Sequence, residues 1–308
     1  MKVCSAPGKV ILFGEHAVVF GEPALATAID MRITVTGKIS SETTINGRPL
    51  EMEKKPYIGT CLDMVWKGEP LELRTESELP SAAGMGSSAA VSVATLGLLT
   101  SMQDELSNES VARTGFEVEM RVQGRASPID TTTSSNGGAV LVSKRQEDDF
   151  LWMIEKEERR WFLHSRHIPS LSIVVGDTGI KAATGPLVDQ VKTYVQSNAP
   201  GRDIIREIGE ITLEGVEALK DEDFAKVGEL MTRNHNLLGR LGVGHELLDR
   251  FVDAVLPVSY GAKLTGAGGG GSMIALTDNP EEVAQRITDL GGKSFIVQTE
   301  SQGVRIDE

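Results

Sequence analysis

The rhythm of apolar and polar positions changes about halfway along the chain. Val3 to Phe13 is largely apolar around Pro7-Gly8-Lys9 and reads as a strand broken by a turn. Ile29 to Ile39 (IDMRITVTGKI) and Leu71 to Thr75 alternate with a period of two, so both are expected to be strands. Gly86 to Met102 is alanine-rich and helical in pattern. Ser107 to Val122 places Val111, Gly115, Val118 and Val122 along one stripe of a second helix, with Ser107 as its N-cap. Gly137-Gly138 opens a strand, AVLVSK, and the charged, aromatic stretch 143–168 predicts two edge strands around a turn. Beyond Pro169 comes a buried strand, LSIVVG (171–176). Helices follow over 184–197, 202–219, 222–241 and 245–254, then a strand over 273–277, a helix over 280–290 and a strand over 294–299. A strand-rich part thus meets a helix-rich part near residue 168, and two domains are expected, 1–168 and 169–308.

Composition narrows the class. At 308 residues, 40% apolar and 24% charged, the chain has the profile of an ordinary globular protein. Its net charge of −13 disfavours nucleic acid as a partner, and an anionic substrate would need a locally basic pocket. The most apolar long run, Ala89 to Thr100, falls short of the roughly 18–20 residues of a membrane span, so no membrane association is expected. Met1-Lys2 leads straight into a strand pattern without a secretory signal. Cys4 and Cys61 are too few for a disulfide framework and are not spaced as metal ligands, which fits a cytoplasmic setting. His164 and His167 read as surface residues, and His235 and His245 make no zinc pattern.

Three glycine-rich stretches stand out. SAPGKVILFGEHAVVFG (5–21) brings Lys9, Glu15 and His16 to a strand end; alone, it fits a hairpin with solvated polar residues equally well. PSAAGMGSSAA (80–90) is not a Walker A loop, but Gly84 and Gly86 would let backbone N–H groups turn toward a ligand. The following helix aims its positive end at the same point, and Ser87 and Ser88 add hydroxyls. KLTGAGGGGSMIAL (263–276) concentrates glycine between core-like residues, which points to a close backbone approach rather than a linker. Between the second and third stretches, Arg113, Glu117 and Arg121 are spaced as an ion-pair ladder along a helix. Glu119 lies about 200° away around that helix, without a cation at i±4. Asp130 closes a tight turn, Ser127-Pro128-Ile129-Asp130.

Taken together, these stretches resemble the three ordered motifs of the GHMP kinases, over residues 5 to about 276. The resemblance implies an α+β, two-domain fold. Its N-terminal, ribosomal-protein-like domain would hold a left-handed β-α-β unit, its C-terminal domain would be ferredoxin-like, and the active site would lie between them. Gly14-Glu15-His16 resembles the branch that phosphorylates mevalonate, in the short form found in archaea. That resemblance implies ATP as phosphoryl donor, Mg²⁺ as cofactor and mevalonate as the small-molecule substrate. It assigns the phosphate cradle to Ala83, Gly84, Met85, Gly86, Ser87, Ser88 and Ala89. Mg²⁺ falls to Ser88 and Glu119, the latter eleven residues before Asp130 as in the family. Asp130 and Lys9 take the catalytic roles. Lys9, Glu15, His16, Asp130, Thr184 and Ala267 take the substrate, with Gly266, Gly268 and Gly269 as the supporting loop. Pro128 departs from the glycine of the family's turn and puts the local backbone path in question. A kinase for another small alcohol, a catalytically inactive metabolite-binding relative and a homodimeric assembly all remain open on the sequence.

Overall fold

The computed structural model describes residues 1–80, 83–103, 106–181, 184–299 and 301–307, apart from the side chain of Thr184. The first part of the chain runs β1 (Lys2–Phe13), a 3-10 turn (Ala17–Phe20), β2 (Ala24–Ile39), β3 (Thr44–Ile45), β4 (Arg48–Pro49), α1 (Pro56–Val65) and β5 (Leu71–Ser77). There follow α2 (Ser87–Ser101), α3 (Asn108–Gln123), α4 (Ile129–Asn136), β6 (Ala139–Ser143), β7 (Phe150–Lys156) and β8 (Arg159–Arg166). The second part holds β9 (Ser172–Asp177), α5 (Thr184–Ser197), α6 (Ala199–Lys220), α7 (Phe224–Arg240), α8 (Glu246–Val255), β10 (Gly261–Thr265), β11 (Ser272–Leu276), α9 (Pro280–Asp289), β12 (Lys293–Gln298) and β13 (Arg305–Ile306).

β2 is the spine of a nine-stranded sheet: β1 runs antiparallel along one edge, while β5 and β6 share the other. Its first residues, Ala24 to Ala28, are buried on both faces and all but Leu25 are small, so they lack the alternation that marks the strand from Ile29 onward. β1 is one continuous strand, not two around a turn. Pro7-Gly8-Lys9 is absorbed as a register shift between Pro7 and Lys9, as expected of an irregularity that re-aims a side chain. β8 is also interior rather than an edge, lying between β6 and β7. That placement buries His164, expected at the surface: Nδ1 bonds the Leu141 carbonyl at 3.4 Å and Nε2 accepts the Glu147 N–H at 3.0 Å. His167 is exposed.

The second sheet has the order β10-β11-β9-β12, all antiparallel, built from a β-α-β-β-α-β path as in ferredoxin-like domains. α6 ties the two parts together by pressing on β1: a Cβ at Gly215 would sit 2.5 Å from the Phe13 ring. A further connection returns to the first sheet. β13 pairs with β1, and Arg32 donates to the Gln302 carbonyl at 2.7 Å, the Gly303 carbonyl at 2.8 Å and Ser301 Oγ at 3.2 Å. Next to it, Val304 N–H donates to the Ser135 carbonyl at the end of α4, at 3.0 Å. Cys4 and Cys61 are free and buried. Among the described residues no helix is long and apolar enough to cross a membrane.

Candidate active site

The register shift in β1 turns Lys9 inward, where it is 3% exposed. Its Nζ stands 3.1 Å from Asp130 Oδ2 and donates to the Gly84 carbonyl at 3.4 Å. Asp130 lies in the first turn of α4 rather than in an isolated tight turn. Pro128 explains why: with φ −75° and ψ 0° it sits at the head of the helix, where proline's fixed φ is compatible and no backbone donor is lost. The departure from glycine therefore starts a helix. Thr131 to Ser135 behind the aspartate are fully buried.

Opposite this pair is the end of α2. Gly84 and Gly86 both take φ 72°, and Gly86 heads the helix in the left-handed conformation without a side-chain cap. The first N–H groups of α2 are therefore free for an anion, and the helix dipole favours negative charge there. Ala83, Gly84, Gly86, Ser87 and Ser88 line the cavity, whereas the Met85 and Ala89 side chains are buried in the core. The Met85 carbonyl instead accepts the Lys9 backbone N–H at 3.0 Å. A Cβ on Gly86 would lie 2.9 Å from both Cγ and Cε of Lys9. Gly86→Val is therefore expected to weaken nucleotide binding by about 10-fold or more, through strain in the loop and displacement of Lys9. Calorimetry measures this, and an unchanged nucleotide affinity would take the loop out of the phosphate site.

Ser88 Oγ donates to Glu119 Oε1 at 3.0 Å. Glu119 is 4% exposed; burial first, and then the negative charge of Asp130, push its carboxyl up to about 8. The expected ladder through Glu117 does not form. Arg113 pairs with Glu109 at 2.6 Å, Arg121 faces Asp63 at 3.5 Å, and Glu117 reaches across to Lys156 at 2.8 Å. Ser88 and Glu119 offer two hard oxygen donors beside the helix end. Among the described residues no group of three His, Cys, Asp or Glu side chains could hold a metal. Such a sparse oxygen set suits Mg²⁺, which keeps waters and takes substrate phosphate oxygens to complete its shell.

His16 follows the end of β1 with φ 60°, a strained value for a residue with a side chain. Its Nε2–H donates to the Ala267 carbonyl at 2.9 Å, Nδ1 is buried without a partner, and burial lowers its pKa. Glu15 is 1% exposed and paired with Lys263, which is fully buried and also donates to the Leu264 carbonyl at 2.7 Å. Burial pushes the Glu15 carboxyl up and the Lys263 ammonium down, each opposed by the other's charge. Gly266 and Ala267 line the cavity. Gly268 and Gly269 do not; they pack on the α7–α8 connection, where a Cβ at Gly268 would meet the Val243 carbonyl at 2.1 Å and Gly269 N–H donates to that carbonyl at 2.8 Å. Thr184 opens α5, and its side chain lies outside the described residues.

The cavity these groups enclose measures about 530 Å³. It also takes in residues that sequence reasoning did not single out: Tyr57 of α1, Arg125 beyond α3, and Arg159 and Trp161 of β8. Lys263 was visible in the third glycine stretch, but nothing in its neighbours foretold a buried partner.

A cavity that sets a free helix end against a paired lysine and aspartate suits the transfer of an anionic group onto an acceptor. The known proteins similar to this chain agree. The GHMP kinases N terminal domain matches residues 56–138, and the GHMP kinases C terminal domain matches residues 216–294. A mevalonate kinase of Pyrococcus abyssi is 36% identical, covering 99% of this chain and 98% of its own length. One of Methanothermobacter thermautotrophicus is 37% identical over 88% of both chains. The crystal structure of the Methanococcus jannaschii mevalonate kinase superposes with a TM-score of 0.79 at 27% identity, covering 97% of this chain and 98% of that one. The chain belongs to the GHMP kinase family.

Proposed function

We propose that the chain transfers the γ-phosphoryl group of ATP to the C5 hydroxyl of (R)-mevalonate, giving 5-phosphomevalonate by direct in-line displacement. The observation that carries this reading is the Lys9–Asp130 ion pair, held at 3.1 Å on the wall of a cavity that also opens on the uncapped end of α2. The relatives named mevalonate kinase supply the substrate class.

In this mechanism the backbone N–H groups at the head of α2 hold the phosphates and Ser87 adds a hydroxyl donor, while the Ser88 hydroxyl donates to Glu119 and keeps its lone pairs for the metal. Asp130 accepts the hydrogen bond of the C5 hydroxyl. As the new O–P bond forms and the bond to the ADP oxygen breaks, Asp130 takes the proton. Lys9 balances charge on the attacking oxygen and the phosphoryl group, and its bond to the Gly84 carbonyl fixes its height above the loop. Mg²⁺, held by Ser88 and Glu119, would supply charge neutralisation between the phosphates. His16, steadied by the Ala267 carbonyl, and Thr184 border the acceptor. Glu15 does not face the acceptor as a free carboxylate; with Lys263 it supports the backbone beneath His16. Met85 contributes its carbonyl to Lys9. Gly268 and Gly269 buttress Gly266 and Ala267 from behind. A cytoplasmic enzyme without nucleic acid or membrane partners is the setting proposed, and a homodimer is left open.

A panel of acceptors with purified protein, ATP and Mg²⁺ tests the proposal. Mevalonate is expected to drive ATP turnover, and phosphomevalonate, homoserine and galactose are not. Comparable kcat/KM on any of those three would overturn the substrate.

A further inference from the structure

If the acceptor is mevalonate, its C5 end is accounted for, but its C1 carboxylate still needs a cation. This inference therefore rests on the proposed function. Lys9 is committed to Asp130 and Gly84, which leaves Arg125 and Arg159 as the other cations on the cavity wall. They differ in how they are held. Arg159 begins β8 at the exposed end of the β7–β8 hairpin, with no side-chain partner among the described residues.

Arg125 sits in the connection from α3 to α4, five residues before Asp130. Its guanidinium is gripped from the second part of the molecule: Nη1 donates to the Gly185 carbonyl at 3.1 Å and to Asp189 Oδ1, and Nη2 donates to Asp189 Oδ2 at 2.9 Å. Gly185 lies against the same group, where an added Cβ would stand 3.6 Å from Nη2 and 3.8 Å from Nε. A guanidinium has five N–H donors in a planar fork. These contacts use both donors of Nη1 and one of Nη2. The Nε–H and the second Nη2–H remain, side by side on one edge, in the spacing that takes a carboxylate bidentately.

We infer that Arg125 is the specificity residue for the carboxylate of the acceptor, presenting its Nε/Nη2 edge while Asp189 and the Gly185 carbonyl hold the opposite edge. The arrangement is preorganised, so little side-chain freedom is lost when substrate arrives. Because Asp189 and Gly185 lie on α5 and Arg125 precedes α4, the contact forms only where the two parts of the molecule meet.

The test compares mevalonate with its neutral counterpart 3-methylpentane-1,3,5-triol in the intact enzyme, in Arg125→Gln and in Arg159→Gln. Wild type is expected to favour mevalonate over the triol by about 10- to 100-fold in kcat/KM, the range of a charge-assisted bidentate contact. Arg125→Gln is expected to lose that preference, through a raised KM for mevalonate, with the KM for ATP and the rate on the triol little changed. Asp189→Asn is expected to give a smaller loss of the same kind. An equal fall on both acceptors would assign Arg125 a structural role and overturn the inference. Loss of the preference in Arg159→Gln but not in Arg125→Gln would overturn it in favour of the hairpin arginine. A wild-type enzyme that phosphorylates homoserine but neither mevalonate nor the triol would overturn the proposed function itself.

Discussion

Replacing Asp130 by asparagine is expected to lower kcat by about 10²- to 10⁴-fold, the usual contribution of a positioned proton acceptor. The change keeps the shape of the side chain, its place in the first turn of α4 and its contact with Lys9, and removes the charge. ATP and mevalonate should still bind, because the α2 loop and the His16 wall are untouched. Rapid-quench measurement of the chemical step at saturating substrates, repeated across a range of Mg²⁺ concentrations, checks it. The loss should be the same at every Mg²⁺ concentration. In Glu119→Gln the corresponding loss should be recovered in part as Mg²⁺ is raised, since that carboxylate bonds Ser88 at the head of α2 and its proposed role is to hold the metal. Near-normal turnover in Asp130→Asn would remove the aspartate from the chemistry.

The second large effect concerns stability. Lys263 is fully buried and Glu15 is 1% exposed, so the two charges compensate each other out of water. Lys263→Met leaves the Glu15 carboxyl without its paired charge, with only the more weakly acting Lys9 opposing its burial, and urea denaturation is expected to show a loss of about 3–5 kcal/mol. The cost should depend on pH in a definite direction. Burial already raises the Glu15 pKa, and without Lys263 that shift grows. The folded variant then holds a proton that the unfolded chain has released, so its stability falls as pH rises above the ordinary carboxylate range. Adding Glu15→Gln should restore part of the loss and abolish that slope. A loss below about 1 kcal/mol would mean that the pair is solvated in the working molecule.

Legibility in the sequence followed how local the signal was. The N-cap of α3 was visible because Ser107 acts on Ser110, three residues on, accepting its N–H at 3.4 Å. The α2 loop is legible only beside the other two motifs, since closely spaced glycines and serines before a helical run are on their own more often an ordinary loop and cap. Glu119 and Asp130 were found through family spacing, since neither residue has a local pattern of its own. What remained hidden depends on distant partners. α1 carries Gly59, Thr60 and Val65, and its weak helix preference is overridden by packing against α2. Glu15 and Lys263 stand 248 positions apart, and neither motif carries a trace of their pairing. The charged neighbours of His164 point to the surface, but its burial is set by β6 and β7 flanking β8 on either side. Arg125 carries no local signal because its orientation is fixed from α5.

The pairing of β13 with β1 has a consequence for how the protein is made. Cys4 and Ser5 meet Ile306 and Arg305 in register, and the Gly303 carbonyl accepts from Arg32, so β1 is completed by a segment that leaves the ribosome some 300 residues later. At about 5–20 residues per second, that interval is roughly 15–60 s. During it the outer edge of β1 carries open backbone donors and acceptors near Cys4, and the end of α4 lacks its bond from Val304. The nascent sheet around β1 is thus exposed along one edge for most of its synthesis, and the helix bearing Asp130 gains its last support when translation has already passed all three glycine-rich stretches.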